Sequence, residues 1–270
     1  MGFRQFKFNS HSEELLALLS LFPFEAFEEK ETEILGYIEE TQCSESFYHD
    51  LEVLCKSKNV SFTQIEIEDI NWNAEWESSF TPVVVGDFCS IRASFHPTDF
   101  NTKHIITIDP KMAFGTGHHE TTFMMISLME GMDFYKKSVL DHGCGTGVLA
   151  ILAEKCGAEY IDAIDIEEDS FTNTQENAQL NHCSHINPIL GTISDAMKNE
   201  YDIIIANINR NVLLQTVDQH ADLLRKKGIL CLSGILATDK NLILMRYTEK
   251  GFQLLEEIGK GNWIALKLTI

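Results

Sequence analysis

Basic residues are scarce in this chain of 270 residues: 21 Lys and Arg stand against 41 Asp and Glu, a formal net charge of −20. A field of that sign disfavours a sequence-independent grip on nucleic-acid phosphates and favours encounter with basic partners. Long apolar runs are missing too. The longest, Leu15 to Phe24, spans about ten residues and is broken by Ser20 and Pro23, half of what a membrane-spanning helix requires. It has no secretory n-region or clear cleavage site, and Phe6 stands where a myristoylation signal beginning at Gly2 wants Ser or Thr. The expectation is a cytoplasmic chain without membrane association. The cysteines (Cys43, Cys55, Cys89, Cys144, Cys156, Cys183 and Cys231) are odd in number and scattered, with no C-x-x-C spacing. That pattern argues against a disulfide framework and a zinc site, and for a reducing compartment. No internal repeat or low-complexity tract is present.

What the chain does have is the run Val139-Leu140-Asp141-His142-Gly143-Cys144-Gly145-Thr146-Gly147, with glycines at alternate positions where an apolar strand hands over to a helix. Such glycines allow torsions closed to other residues and let a ligand approach the main chain. A dinucleotide loop would turn its amides on a pyrophosphate at the helix N-terminus, but Asp141 would repel phosphate. It suits a ligand carrying ammonium and sulfonium charges, and S-adenosylmethionine has both. Asp141, Gly143, Gly145 and Gly147 are therefore candidate cofactor contacts. A ligand-free strand-to-helix turn would use the same glycines, so a second acid matters. Tyr160 to Asp165 reads as a strand ending in Asp165, about 20 residues beyond the loop, where a carboxylate can accept both hydroxyls of a ribose. Glu167, Glu168 and Asp169 follow, so a solvated strand end is the competing reading. Loop and acid together indicate a nucleoside-bearing cofactor.

The length accommodates one α/β domain and a smaller one. From Ser138 the pattern alternates as a doubly wound sheet requires. Strands are expected at Val139–Asp141, Tyr160–Asp165, Ile186–Leu190, Asp202–Ala206, Gly228–Ser233, Phe252–Ile258 and Trp263–Leu268, with helices at Val148–Cys156, Ser170–Asn181, Val212–Arg225 and Asp239–Tyr247. Gly259-Lys260-Gly261-Asn262 joins the last two strands as a hairpin. The fold class is thus α/β, a Rossmann-like seven-stranded domain over residues 101–270. Residues 1–68 alternate as strand, helix, two strands, helix and strand, which predicts a small α+β ferredoxin-like domain. Residues 69–100 read as a linker region with strand-like segments at Thr81–Val85 and Cys89–Ala93. Trp72 and Trp76 share one face if that region is helical, and interdomain packing is favoured for them over substrate contact.

Asp109 to Thr122 describes a loop with Gly115 and Gly117 beside small hydroxyls, and Thr121 or Thr122 at a helix entry. No Lys follows these glycines, which excludes a Walker A loop. His118 and His119 are adjacent and lack a defined third ligand, so no metal is expected, and a histidine packing or hydrogen-bonding near the substrate is preferred. The fourth strand of the doubly wound pattern ends Ala206-Asn207-Ile208-Asn209-Arg210. In an open α/β sheet this edge lies beside the glycine loop, so Asn207 can put an amide oxygen near a reacting amine. A helix-cap or turn role for Asn207 stays open, and Arg210 receives no role.

These segments resemble a class I S-adenosylmethionine-dependent methyltransferase, and specifically the ribosomal protein L11 methyltransferase (PrmA) family. Asn71 to Trp76 is similar to the family's D-W-x-x-x-W linker, Asp109 to Thr122 to its D-P-G-x-A-F-G-T-G-T-H-P-T-T signature, and Val139 to Ile151 to its first motif. Ala206-Asn207-Ile208 and Leu232-Ser233-Gly234-Ile235-Leu236 match later motifs. Lys111, His118 and Glu120 depart from the usual Gly, Thr and Pro. The resemblance implies cofactor contacts at Thr122, Gly143, Asp165 and Asn207, with Asn207 also facing the amine. It further implies a small N-terminal domain that recognises the substrate, and methylation of lysine side chains and an N-terminal amine of a basic ribosomal protein. Sequence-specific nucleic-acid binding is not expected. Alternatives are a methyltransferase acting on a glutamine amide or nucleobase, which would more naturally carry Asn-Pro-Pro-Tyr after the fourth strand, an NAD-dependent oxidoreductase, and a non-catalytic S-adenosylmethionine-binding or ribosome-interaction module.

Overall fold

The computed structural model describes residues 3–30, 32–67, 81–109, 115 and 117–270. Trp72, Trp76 and the rest of the expected tryptophan linker lie outside them, as do residues 110–114 and 116 of the signature loop. The chain divides into two compact units, Met1–Phe80 and Thr81–Ile270. Residues 81–100, expected in a linker, instead belong to the larger unit, because their strands pair into its own small sheet.

In the smaller unit, β1 (Phe3–Phe8), β2 (Ala26–Glu29), β3 (Ile34–Glu39) and β4 (Phe62–Ile67) form an antiparallel sheet in the order β2-β3-β1-β4. Helices α1 (Glu13–Leu19) and α2 (Glu45–Lys58) connect β1 to β2 and β3 to β4. Each starts where a serine hydroxyl accepts an orphan helix N–H, Ser12 from Leu15 and Ser44 from Phe47. Phe47, Leu51 and Cys55 recur at helical spacing and pack with Phe6, Phe8, Ile34 and Ile38 in one core.

The larger unit opens with β5 (Val83–Val85), β6 (Cys89–Arg92) and β7 (His104–Thr107), a three-stranded sheet. Then come α3 (Glu120–Glu130), β8 (Ser138–His142), α4 (Val148–Lys155), β9 (Tyr160–Asp165), α5 (Glu168–Leu180), β10 (Ile186–Leu190), β11 (Tyr201–Asn207), α6 (Arg210–Gln215), α7 (Val217–Leu223), β12 (Leu224–Leu236), α8 (Lys240–Thr248), β13 (Gln253–Lys260) and β14 (Trp263–Thr269). The seven strands from β8 onward lie in the order β10-β9-β8-β11-β12-β14-β13, parallel except where β14 runs against both neighbours. Helices cover both faces, so interior strands bury both sides and their residues alternate between two cores. Val139, Ile203 and Ile205 join the core under α3 and α4, whereas Leu140, Ile204 and Ala206 join the one under α6, α7 and α8.

The single helix expected at Val212–Arg225 is two helices, broken at Thr216. Its hydroxyl donates to the Val212 carbonyl at 2.9 Å while its backbone leaves helical geometry (φ −106°, ψ 11°). The strand after them begins at Leu224, not Gly228, since pairing with β11 extends past the polar residues that masked it in the sequence.

Candidate active site

The strand order reverses between β8, whose crossover leads to β9, and β11, and ligands bind at the carboxyl ends flanking such a switch point. A cavity of about 610 Å³ lies there. The glycine loop forms one wall. Gly143, Gly145 and Gly147 all have positive φ, 78°, 55° and 78°, which L side chains rarely adopt. Gly143 is doubly constrained, because a Cβ there would collide with the Ile208 side chain. The Ile208 backbone is pressed in turn against Gly234, another position with no room for a side chain. Ile208 therefore sits between two glycines that sequence matching alone could not explain.

Asp165, at the end of β9, lines the cavity and fastens the loop. Its Oδ2 accepts Gly145 N–H at 2.9 Å and its Oδ1 accepts Glu167 N–H at 3.1 Å. A carboxylate has about four acceptor sites, so both oxygens keep capacity for hydroxyl donors. Asn207, at the end of β11, also lines the cavity. Its Nδ2 donates to Thr122 Oγ1 at 3.4 Å, and its Oδ1 is buried without a hydrogen-bond partner. The helix-cap reading of Asn207 is overturned: Asn209 caps α6, accepting Val212 N–H at 3.1 Å.

The cavity thus gathers Gly143, Gly145, Asp165 and Asn207, while three expected contacts lie behind its wall. Asp141 points to the opposite sheet face from His142 and is buried beneath α4, where Oδ2 accepts Ala150 N–H at 3.0 Å. Burial pushes its carboxyl up to about 7, against the lowering effect of that N–H and with a further rise from nearby Asp165. Such a group fixes the loop rather than meeting a ligand's charge directly. Gly147 serves as the first residue before α4. Thr122 is buried one position beyond Thr121, which lines the wall in its place.

Thr121 and Thr122 stand in the first turn of α3, as expected at a helix entry, and His119 caps it: Nδ1 accepts Thr121 N–H at 3.3 Å, and the ring packs edge-on against Trp263, which the sequence marked only as a strand residue, with centroids 4.9 Å apart. Both rings line the cavity. His118 instead bonds the Thr81 carbonyl through Nε2 at 2.8 Å, so the adjacent histidines diverge. Among the described residues, no group of three His, Cys, Asp or Glu is placed to hold a metal, and Arg210 pairs with Asp239.

Three asparagines at four-residue intervals, Asn173 and Asn177 on α5 and Asn181 as its C-cap, hold the loops together. Asn181 Nδ2 and Oδ1 bond the Thr107 carbonyl and N–H at 2.6 and 2.9 Å. Asn177 accepts Asp109 N–H at 3.1 Å and donates to the Thr146 carbonyl at 2.9 Å, and Asn173 donates to the Asp109 carbonyl at 3.3 Å. The chain entering the signature loop and the glycine loop are thereby clamped to one helix. The spacing was visible in the sequence, but its meaning needed the partners. His142, just before the first glycine of the loop, also lines the cavity and heads a buried row through His220 to Tyr247.

Residues 11–270 match the family described as "Ribosomal protein L11 methyltransferase (PrmA)". Curated relatives of that name include one from Porphyromonas gingivalis, 42% identical over 94% of this chain and 89% of its own length. Another, from Phocaeicola vulgatus, is 39% identical over 94% of this chain and 92% of its own length. Among solved structures, a ribosomal protein L11 methylase from Lactobacillus delbrueckii subsp. bulgaricus superposes with a TM-score of 0.65 and 30% identity, covering 70% of this chain and 98% of that one. With a glycine-walled cavity at the switch point of a Rossmann-like sheet and relatives matched over nearly its whole length, this chain belongs to the ribosomal protein L11 methyltransferase (PrmA) family.

Proposed function

We propose that the chain transfers methyl groups from S-adenosylmethionine to amines of ribosomal protein L11, both lysine side chains and the N-terminal amine. The observation that carries this reading is Asn207 Oδ1, a buried acceptor with no partner in the wall that also holds the glycine loop and Asp165. A partnerless buried acceptor is unfavourable by roughly 1–3 kcal/mol, and an N–H donor arriving in the cavity removes that penalty.

The residues fit the cofactor. Asp165 retains acceptor capacity for the ribose hydroxyls, Gly143 and Gly145 let the ligand approach the main chain, and Thr122 acts through its contact with Asn207. Asp141 contributes by holding the loop from beneath. When bound, S-adenosylmethionine supplies a methyl group on a positively charged sulfur, open to in-line displacement by a nucleophile. A lysine of unperturbed pKa ~10.4 is nearly all ammonium at neutral pH, so the chain's task is to favour the neutral amine and aim its lone pair. Removal from water favours the neutral form, and Asn207 Oδ1 accepts one of its N–H bonds. A planar amide or base is less well suited, because the residue after Asn207 is the aliphatic Ile208, fixed between Gly143 and Gly234, and not an aromatic that could stack on it there.

The smaller unit's strand order and helix connections support a ferredoxin-like reading, and we assign it substrate recognition. The net charge of −20 supports a basic partner and no sequence-independent hold on nucleic acid. No helix among the described residues is long and apolar enough to cross a membrane, and a cytoplasmic location is consistent with that. The test is incubation with labelled S-adenosylmethionine, first with purified ribosomal protein L11 and then with a lysate, followed by mass spectrometry. Label on lysine and α-amines of that protein is expected. Label on RNA, or on an acidic protein alone, would overturn the reading.

A further inference from the structure

Three side chains from separate elements form a buried row that starts at the cavity wall: His142 at the end of β8, His220 on α7 and Tyr247 on α8. Its far end fixes the direction of every proton. The Leu213 carbonyl can only accept, so the single hydroxyl proton of Tyr247 goes there at 3.2 Å, and the phenol oxygen accepts Nδ1–H of His220 at 2.8 Å. A neutral His220 with its proton on Nδ1 presents a bare Nε2 to His142. His142 Nδ1, 3.0 Å away, must therefore donate. Its own lone pair then lies on Nε2, which meets no hydrogen-bond partner among the described residues.

Both rings are kept neutral by burial. It pushes His142 down to about 4, partly opposed by Asp165 from β9, and holds His220 well below the ordinary imidazole value, with His142 adding to the effect. Burial also keeps the Tyr247 phenol protonated. In the strand register His142 stands opposite Ala206, so Asn207 with its partnerless Oδ1 follows at once on the adjacent strand. Both residues line the same cavity. A neutral primary amine has two N–H bonds and one lone pair. Acceptors for both N–H bonds leave the lone pair pointing away from them.

We infer that His142 Nε2 accepts an N–H of an amine bound in the cavity, a second acceptor beside Asn207 Oδ1, with His220, Tyr247 and the Leu213 carbonyl fixing its tautomer. This rests on the methyltransferase reading above. The amine is either the methyl-accepting group or the amino group of the cofactor, since both offer N–H donors.

The first test needs no substrate. In the full-length protein with 15N-labelled histidine, the His142 resonances, identified by their loss in His142→Gln, should report a neutral ring protonated on Nδ1 at pH 7. A ring protonated on Nε2, or a charged ring, overturns the inference. The second test is His142→Phe, assayed on purified ribosomal protein L11 with cofactor affinity measured by calorimetry. If the bound amine is the methyl acceptor, kcat falls roughly tenfold, the equivalent of one hydrogen bond, and S-adenosylmethionine affinity is retained. If it is the cofactor's amino group, affinity falls by that factor and kcat at saturation is retained. His142→Gln keeps an oxygen acceptor and should recover most of either loss. Unchanged affinity and kcat in His142→Phe, or a Gln variant no better than Phe, overturns the inference. A chain that binds S-adenosylmethionine with the expected tautomer but leaves ribosomal protein L11 unlabelled would refute the proposed substrate and not His142.

Discussion

Asp165 Oδ2 accepts the N–H of Gly145 at 2.9 Å, so the carboxylate we propose for the ribose hydroxyls also anchors the middle of the glycine loop. On that proposal, ligand recognition and loop geometry are coupled in one side chain, and substitutions there act on both.

Asp165→Ala is therefore expected to weaken S-adenosylmethionine binding by roughly 1–3 kcal/mol, the scale of lost hydrogen bonds to a charged acceptor, while the fold survives. Amide exchange at Gly145 should quicken in the same variant. Calorimetry showing unchanged affinity in a folded protein would remove Asp165 from the cofactor site.

Asn207→Ala should lower the methylation rate at saturating cofactor and substrate more than it lowers cofactor affinity, because orienting the amine matters chiefly in the transition state. A full rate at saturation would leave Asn207 a purely structural role.

Asn177→Ala strips the Asp109 N–H and the Thr146 carbonyl of their partner. The Thr146 carbonyl is buried, and leaving it unpaired is unfavourable by about 1–3 kcal/mol, so a clear loss of thermal stability is expected, with weaker cofactor binding as the loops loosen. A melting temperature equal to that of the wild type would contradict the clamp.

Asp141→Asn tests the buried carboxyl. Its folded value of about 7 lies above the ordinary carboxylate value, about 3.9 in an unfolded chain. The fold therefore favours the protonated form, and the associated stability is fully present below about pH 4 and lost as pH rises through about 7. Asn cannot ionise and keeps an oxygen for Ala150 N–H. In ligand-free protein the melting temperature of Asp141→Asn should rise relative to wild type between about pH 4 and about pH 7 and then level off. A difference that stays constant with pH would exclude Asp141 as its source.

Salt tests the role of charge in reaching a basic substrate. With a net charge of −20 and a screening length of about 8 Å at physiological ionic strength, added salt should reduce kcat/KM for the protein substrate and leave cofactor affinity comparatively unchanged. Equal salt sensitivity of both would argue against steering.

The sequence by itself determined the doubly wound pattern and where its strands fall, the start of β12 excepted, since alternation of apolar runs with amphipathic helices records which backbone is buried. It also determined the glycine loop and the terminal acids, because positive torsions and strand ends leave local marks. Only the tertiary structure decided which of those residues face the cavity. Asp141 and His142 are neighbours on β8 that project to opposite faces, and the motif draws attention to the one that turns inward beneath α4. The clamp of α5 asparagines, the seat of Ile208 between Gly143 and Gly234, and the row from His142 to Tyr247 each join residues dozens of positions apart. Their partners meet only when the sheet is assembled, so no local pattern in the chain could mark them.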